Sequence, residues 1–311
     1  VLRSGSGAEA LYLALNTQAL GWDQPFRNIL IFDLYACGGL LSHGPGFPGL
    51  NRPGYQESIR TAAGNSVVFN DTDQSTTQCT GITLALLNQP LFDYVRALAD
   101  RTYDQGQVQR DLIMVRPQKD QAGYFLLIDA ILTNDPQTKV AWFLHGKGTV
   151  KTGVDQISRW TCPAFTPPSL RSNDLFLAVY VVGSPPSLRS APGTLFFEDP
   201  GLNQKSETLI LEWVGPARFC AVLFPRRPKQ TEPRMQSLDG PRSGRVGISD
   251  WVSLSDPETR RTTGPFRHVS ECVIVRERAS FPALLMIAGT EFSMGPHSIT
   301  GTKPITLSLD G

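Results

Sequence analysis

The sequence predicts an all-β protein in which antiparallel sheets are stacked face to face. Short apolar or alternating runs of strand length recur along the chain, and turn residues separate them. The 311 residues include 28 Gly and 24 Pro, and this density favours many short elements joined by turns. Because these connections are short, we expect antiparallel pairing rather than parallel crossovers.

The predicted strands share one character, since each is a short apolar or alternating stretch bounded by turn residues. In chain order they are 10–15, 29–35, 66–69, 112–115, 124–131, 140–144, 175–182, 208–214, 217–224, 272–277, 283–288 and 302–309. The last of them has Thr and Leu at alternate positions, so one face of it would be apolar. One segment, 91–99, has helical spacing and follows Pro90, and we expect a short helix there.

Two packed units are expected in a chain of this length. We place the first at 1–160 and the second, another antiparallel β-sandwich unit, at 161–311. Two stretches resemble linkers: 163–173 is rich in Pro and Ser, and 225–244 is rich in Pro, Arg and Lys and predicts a solvent-exposed loop.

The composition excludes several classes of partner. Charged residues make up 18% of the chain and the formal net charge is +1, which gives no case for nucleic acid or an anionic membrane as the main partner. No apolar run approaches the roughly 20 residues needed to cross a bilayer. The chain begins with Val1 rather than Met and has no signal peptide, so we expect a fragment or a processed product.

Five cysteines are present, and no two of them form a CxxC pair, so a zinc knuckle or a redox motif is not indicated. An odd number leaves at least one thiol without an intramolecular partner. Cys37, Cys220 and Cys272 lie in or beside apolar runs, which favours small buried hydrophobic side chains.

The segment 25–75 carries the most informative pattern. An apolar strand, IFDLYACG at 31–38, runs into a turn, LLSHGPG at 40–46. A loop with Tyr55 follows, and then IRTAAGNSV at 59–67. This order resembles the β-domain of the heparinase II/III-like polysaccharide lyases.

Other segments of the first half extend the resemblance. Leu2-Arg3-Ser4 is similar to the strand that opens that domain. The segments 110–112 and 124–129 resemble its paired strands ending in Asp, and Trp-Phe-Leu-His at 142–145 resembles its W-x-L-H strand. The second half resembles the family only as a generic β-sandwich.

The resemblance implies β-elimination on an acidic, uronate-containing polysaccharide. Such a reaction needs a group that neutralises the carboxylate, a base for the C5 proton and an acid for the leaving oxygen. It implies Tyr55 and Gln24 as catalytic candidates and Arg60, Asn65 and His43 as substrate-binding candidates. It also implies an N-terminal α/α-toroid as partner domain and an extracellular, periplasmic or cell-surface location.

The chain departs from the family pattern at the histidines. The family's H-x-H-x-D motif falls on 24–28, where Gln24 and Phe26 replace both histidines, and Gly64 replaces another. Phe and Gly offer no side-chain donor for zinc, so we predict no metal and no cofactor. The alternative to a lyase domain is therefore a non-catalytic glycan-binding or structural module with protein assembly partners.

Each candidate residue also has a structural interpretation. Tyr55 could pack its loop against the sheet, and a lone histidine such as His43 in a Gly-Pro loop is often a surface residue. The run Asn-Asp-Thr-Asp at 70–73 lacks the glycine and distal Glu of an EF-hand and favours a turn over a calcium site. We expect the 311-residue chain alone to be inactive.

Overall fold

The computed structural model describes most of the chain. The described residues are 1–7, 10–17, 27–77, 80–118, 121–153, 157–162, 175–182, 187–196, 204–238, 242–247, 250–256, 258–277 and 282–309.

The first sheet has eight strands and forms one outer layer. They are β1 (Leu2–Arg3), β2 (Tyr12–Leu15), β3 (Phe32–Ala36), β4 (Gly39–Ser42), β5 (Val67–Phe69), β10 (Lys139–Lys147), β14 (Ser187–Leu195) and β15 (Gln204–Val214). Their spatial order is β1-β2-β3-β4-β10-β15-β14, with β5 also paired to β10.

The second sheet also has eight strands and forms the middle layer. They are β6 (Thr80–Asn88), β7 (Phe92–Asp100), β8 (Gly106–Val115), β9 (Tyr124–Thr133), β11 (Thr149–Thr152), β12 (Ile157–Cys162), β13 (Leu175–Val182) and β16 (Ala217–Arg226). Their order is β11-β12-β13-β16-β9-β8-β7-β6.

The third sheet contains the last seven strands. They are β17 (Met235–Ser237), β18 (Ser243–Val246), β19 (Asp250–Leu254), β20 (Arg260–Thr263), β21 (Phe266–Arg276), β22 (Ala283–Met294) and β23 (His297–Leu309). The ladders in all three sheets are antiparallel, and 65% of the structure is strand, so the predicted all-β fold of stacked antiparallel sheets is confirmed.

Two cores separate the three layers. Trp142 and Phe32 of the first sheet pack against Leu127 of the second. On the other side of the second sheet, residues such as Tyr94 pack against residues of the third, such as Ile274. The central strands of the middle sheet are therefore buried on both faces, which explains their long continuous apolar runs. A third apolar cluster, which includes Val273 and Leu284, lies within the third sheet.

The helix expected at 91–99 is wrong, because this segment is strand β7. Its burial is nearly continuous, since the strand lies in the middle layer, and closely spaced apolar residues imitate a helical stripe. The described helices are α1 (Tyr55–Ser58) and a 3₁₀ turn at Thr61–Ala63, both in the loop between β4 and β5.

Strands from both sides of residue 160 pair within the first and second sheets. The division into units at 1–160 and 161–311 stays a prediction. The linker expected at 163–173 lies outside the described residues. Among the described residues, no helix is long and apolar enough to cross a membrane.

Candidate functional site

A groove of about 1050 Å³ lies on the outer face of the first sheet. Its floor comes from β2, β3 and β4, and its walls come from the segments 27–31, 43–47 and 58–60. The groove brings together polar side chains that are distant in sequence, so it is the candidate site.

Strand β3 supplies the floor because its side chains alternate between core and groove. Phe32 and Leu34 are buried in the core, whereas Asp33 and Tyr35 line the groove. Burial raises the pKa of the Asp33 carboxyl, although the Gly44 N–H donates to its Oδ1 at 2.6 Å.

Tyr35 is the exposed phenol of the groove, with 41% of its surface accessible. Its ring meets that of Tyr12 edge to face at 5.6 Å. Partial burial, and after it the charge of Asp33, raise the pKa of the phenol above its ordinary value. Tyr35 is therefore protonated at neutral pH and able to donate a hydrogen bond.

His43 lines the groove wall directly after β4 and is only 3% exposed. Its Nδ1 lies against the Gly44 carbonyl, which can only accept, so Nδ1 carries the proton. Nε2 is then an acceptor, and it has no hydrogen-bond partner. Burial, and to a smaller extent the nearby Lys147 charge, lowers the pKa of His43 to about 4. The imidazole is neutral at pH 7.

His145 lies beside His43, with ring centroids 6.4 Å apart, but its hydrogen bonds are made to other residues of the protein. Its Nε2–H donates to the Ala62 carbonyl at 2.9 Å, and its Nδ1 accepts from the Thr208 hydroxyl at 2.9 Å. Burial lowers the pKa of His145 to about 3. With both ring nitrogens engaged, His145 supports the loop above it.

Asn65 is fully buried beneath the groove, so this conformation gives it no contact with a substrate. Its amide nitrogen donates to the Phe32 carbonyl at 2.6 Å and to the Ser42 hydroxyl at 3.0 Å. Its amide oxygen accepts the His145 backbone N–H at 2.7 Å. Asn65 thus joins three segments of the site, and its predicted role as a substrate ligand stays a prediction.

Two arginines stand at the groove's rim around one carboxylate. Arg27 and Arg60 both line the groove, and their Nε atoms lie 3.9 Å and 3.4 Å from Oδ2 of Asp73. The other Asp73 oxygen accepts the Thr61 N–H at 2.8 Å, which fixes the carboxylate. Arg60 is half exposed, so its guanidinium can meet an anionic ligand.

A buried ion pair ties the site to the middle sheet. Arg110 of β8 donates from Nε and Nη2 to both oxygens of Asp129 at 2.8 Å and 2.6 Å, and both side chains are 0% exposed. Its Nη1 also donates to the carbonyls of Leu30 and Asn65 at 2.5 Å and 2.7 Å. One side chain therefore holds the two loops that flank the groove.

Other predicted site residues lie apart from the groove or outside the described residues. Tyr55 begins α1 and packs its ring edge to face against Phe47, a groove residue, at 6.4 Å. Gln24 and Phe26 lie outside the described residues. The catalytic roles of Tyr55 and Gln24 stay predictions.

Gly64 occupies a position where a side chain does not fit. A Cβ atom there would overlap Cδ1 of Ile31, which also lines the groove. A histidine at this position would therefore require Ile31 to move. In the part of the chain that the structure describes, no three His, Cys, Asp or Glu side chains lie close enough together to hold a metal ion.

Sequence reasoning missed Tyr35, Arg27 and Asn28 as residues of the groove. The period-two alternation of Phe-Asp-Leu-Tyr-Ala could have placed Asp33 and Tyr35 together on the polar face of one strand. Nothing local in the sequence predicts that Arg27 and Asn28, with its unpartnered Oδ1, turn toward that face.

Comparison with known proteins gives fold relatives only. No family model and no curated protein matches the sequence. Among solved structures, a mutant of the heparan sulfate lyase HepC from Pedobacter heparinus matches with a TM-score of 0.63 at 12% identity, over 99% of this chain and 40% of that one. A heparinase III matches with a TM-score of 0.63 at 13% identity, over 89% of this chain and 40% of that one.

The resemblance to the heparinase-type β-domain is therefore confirmed as a likeness of fold. The chain spans about 40% of the length of the lyases it matches.

Proposed function

We propose that this chain is the β-domain of a heparinase-like polysaccharide lyase and that its groove binds a uronate-containing glycan for β-elimination. The observation that carries the proposal is the neutral His43, whose Nε2 has no partner, in one groove with Tyr35, Asp33 and two arginines. These are the residue types that elimination next to a carboxylate requires.

Each group has a role that its environment supports. Arg60, with Arg27 behind it, would bind the uronate carboxylate, because a guanidinium pairs with a carboxylate through two parallel hydrogen bonds. His43 Nε2, which is buried in this conformation, would accept the C5 proton once the groove wall moves to expose it. Tyr35, kept protonated by its raised pKa, would donate a proton to the leaving oxygen.

His43 is a weak base as it stands, because burial disfavours its charged form. A substrate carboxylate near the ring would favour the imidazolium and raise the pKa toward neutrality. The site therefore depends on the ligand, and on further protein surface over the groove, for its chemistry. An N-terminal α/α-toroid is the proposed source of that surface.

The alternative function is a non-catalytic module that binds acidic glycan or assembles with other proteins outside the cytoplasm. The low pKa of His43 favours this alternative, as does Gly64, where a side chain would overlap Ile31 in its present position. The lyase and the glycan-binding module both place an acidic polysaccharide in the groove, and the proposal includes no metal at Gly64.

The test measures binding and cleavage separately. Calorimetry with uronate oligosaccharides should show binding that weakens at least severalfold in Arg60→Gln, while the exposed Arg101→Gln serves as control. Ultraviolet absorbance of the unsaturated product reports elimination. Binding without cleavage by this chain alone fits both functions, because the proposed toroid is absent, whereas cleavage that His43→Gln abolishes supports the lyase. No binding to the wild-type chain would overturn both.

A further inference from the structure

A strongly basic loop joins the second sheet to the third. The segment 226–234, Arg-Arg-Pro-Lys-Gln-Thr-Glu-Pro-Arg, carries four basic side chains and one acidic, a net charge of +3 in a chain whose total is +1. Positive charge is therefore concentrated here, and the proposed groove does not account for it.

The only acid of the loop is shared between two arginines. Arg159 of β12 donates to Glu232 at 2.8 Å, and Nε of Arg226 lies 3.4 Å from the same carboxylate. Lys229 and Arg234 are exposed, and neither forms an ion pair with a carboxylate among the described residues. Two cations are thus presented to solvent without a described counter-charge.

The loop has a defined shape rather than an extended one. The Gln230 N–H donates to the Arg227 carbonyl at 3.0 Å, and the Gln230 side-chain oxygen accepts the Arg227 N–H at 2.8 Å. At its base, the Arg226 guanidinium lies over the Phe176 ring at 4.6 Å. These contacts fix the backbone of the turn that carries Lys229, which lowers the entropic cost of ordering the loop on binding.

The loop is attached to the strand pair that forms the groove floor. Arg227 Nη2 donates to the Cys37 carbonyl at 3.0 Å, and Cys37 lies in the turn between β3 and β4. Tyr35 of the groove precedes Cys37 by two residues in the chain. A polymer leaving the groove over this turn would reach the basic loop.

We propose that the loop is a second binding site for an acidic polysaccharide, through which Lys229 and Arg234 hold the part of the polymer that extends beyond the groove. The polymer would carry sulfate or carboxylate groups. This second site rests on the proposed function, because it assumes that the same polymer also occupies the groove. Because both cations are exposed, salt screens the interaction strongly.

The experiment compares heparan sulfate polymer with a tetrasaccharide of the same glycan. The double variant K229Q/R234Q should bind the polymer about three- to tenfold more weakly, as expected for two exposed charge contacts, and the tetrasaccharide as tightly as the wild type. The control K303Q/R267Q removes the same charge from exposed positions on the third sheet and should bind both normally.

The outcomes separate the two proposals. If Arg60→Gln loses tetrasaccharide binding while K229Q/R234Q binds the tetrasaccharide normally and the polymer more weakly, both sites are supported. A wild-type chain that binds the polymer through the loop but never binds the tetrasaccharide refutes the groove and retains the loop. Equal polymer binding by the loop and control variants overturns the loop site. Equally tight binding of duplex DNA would overturn its assignment to glycan.

Discussion

Removing the Arg110 side chain tests whether one buried ion pair holds the groove together. Arg110→Ala leaves the Asp129 carboxylate at 0% exposure without its two donors, and it removes the donor to the carbonyls of Leu30 and Asn65. A buried charge that loses its partner costs about 3–5 kcal/mol. We expect the free energy of unfolding to fall by about that amount.

The matched control is Arg189, which forms the same two-fold contact with Glu212 at 3.0 Å for each pair of atoms. Its side chain is 50% exposed and that of Glu212 is 40% exposed. Solvent screens such a pair, so Arg189→Ala should cost about 0.2–1 kcal/mol. The contrast between the two variants measures the combined effect of burial and of the two carbonyl contacts that only Arg110 makes.

Urea unfolding followed by circular dichroism, with the slope checked for two-state behaviour, measures both costs. Arg110→Lys retains the positive charge but loses the planar guanidinium that donates to both carboxylate oxygens. It provides a second measurement if Arg110→Ala does not fold. Binding of uronate oligosaccharide should weaken in the Arg110 variants, because both flanking loops lose their anchor. Equal costs at Arg110 and Arg189 would refute the reasoning.

Three further predictions concern the histidines, Gly64 and the thiols. Folding lowers the pKa values of His43 and His145 to about 4 and about 3, so on acidification the unfolded chain takes up protons at a higher pH than the folded chain does. The contribution of the neutral histidines to the free energy of unfolding is therefore complete above about pH 6.5. It falls as the pH drops toward 4 and then 3. Urea unfolding between pH 7.5 and 4.5 should show His43→Gln losing less stability than the wild type over this interval, and equal slopes would contradict this. Gly64→His should cost about 1–3 kcal/mol because its Cβ overlaps Ile31, and Ile31→Ala should recover part of that loss, which thermal unfolding of both variants decides. Maleimide should label the half-buried Cys37 before the two buried free thiols, as read by mass spectrometry of peptides, and simultaneous labelling would count against this burial order.

The local sequence pattern predicts most of the strands, because the buried residues of a strand recur at every second position or form a continuous apolar run. It failed at 91–99, where both faces of β7 are covered and the run of apolar residues imitates a helix. It also placed Ile29–Ile31 in a strand. Leu30 has a φ of 61°, and its carbonyl accepts from Arg110, eighty positions away. The residues around Leu30 in the sequence do not predict this contact with Arg110.

The candidate site was predicted less completely than the fold, since its chemistry depends on burial. His43 and Arg60 were named from the sequence, and both line the groove. Asn65 and His145 have the polar side chains expected of a site, but hydrogen bonds to backbone groups engage them inside the protein. The protonation of His43 also depends on the Gly44 carbonyl and on burial, neither of which the residue type reveals.

The loop that carries Gly64 is held by hydrogen bonds and packing from residues of this chain. Ile31 fills the space above this glycine, so the position contributes packing instead of a ligand. The carbonyl of the adjacent Asn65 binds Arg110, its amide binds β3 and β4, and the neighbouring Ala62 carbonyl binds His145. Hydrogen bonds to buried donors therefore fix the segment on which a metal would otherwise impose a geometry. The shape of the groove therefore does not depend on a metal ligand at this position, and the glycan-binding roles proposed for His43, Tyr35 and Arg60 do not require one.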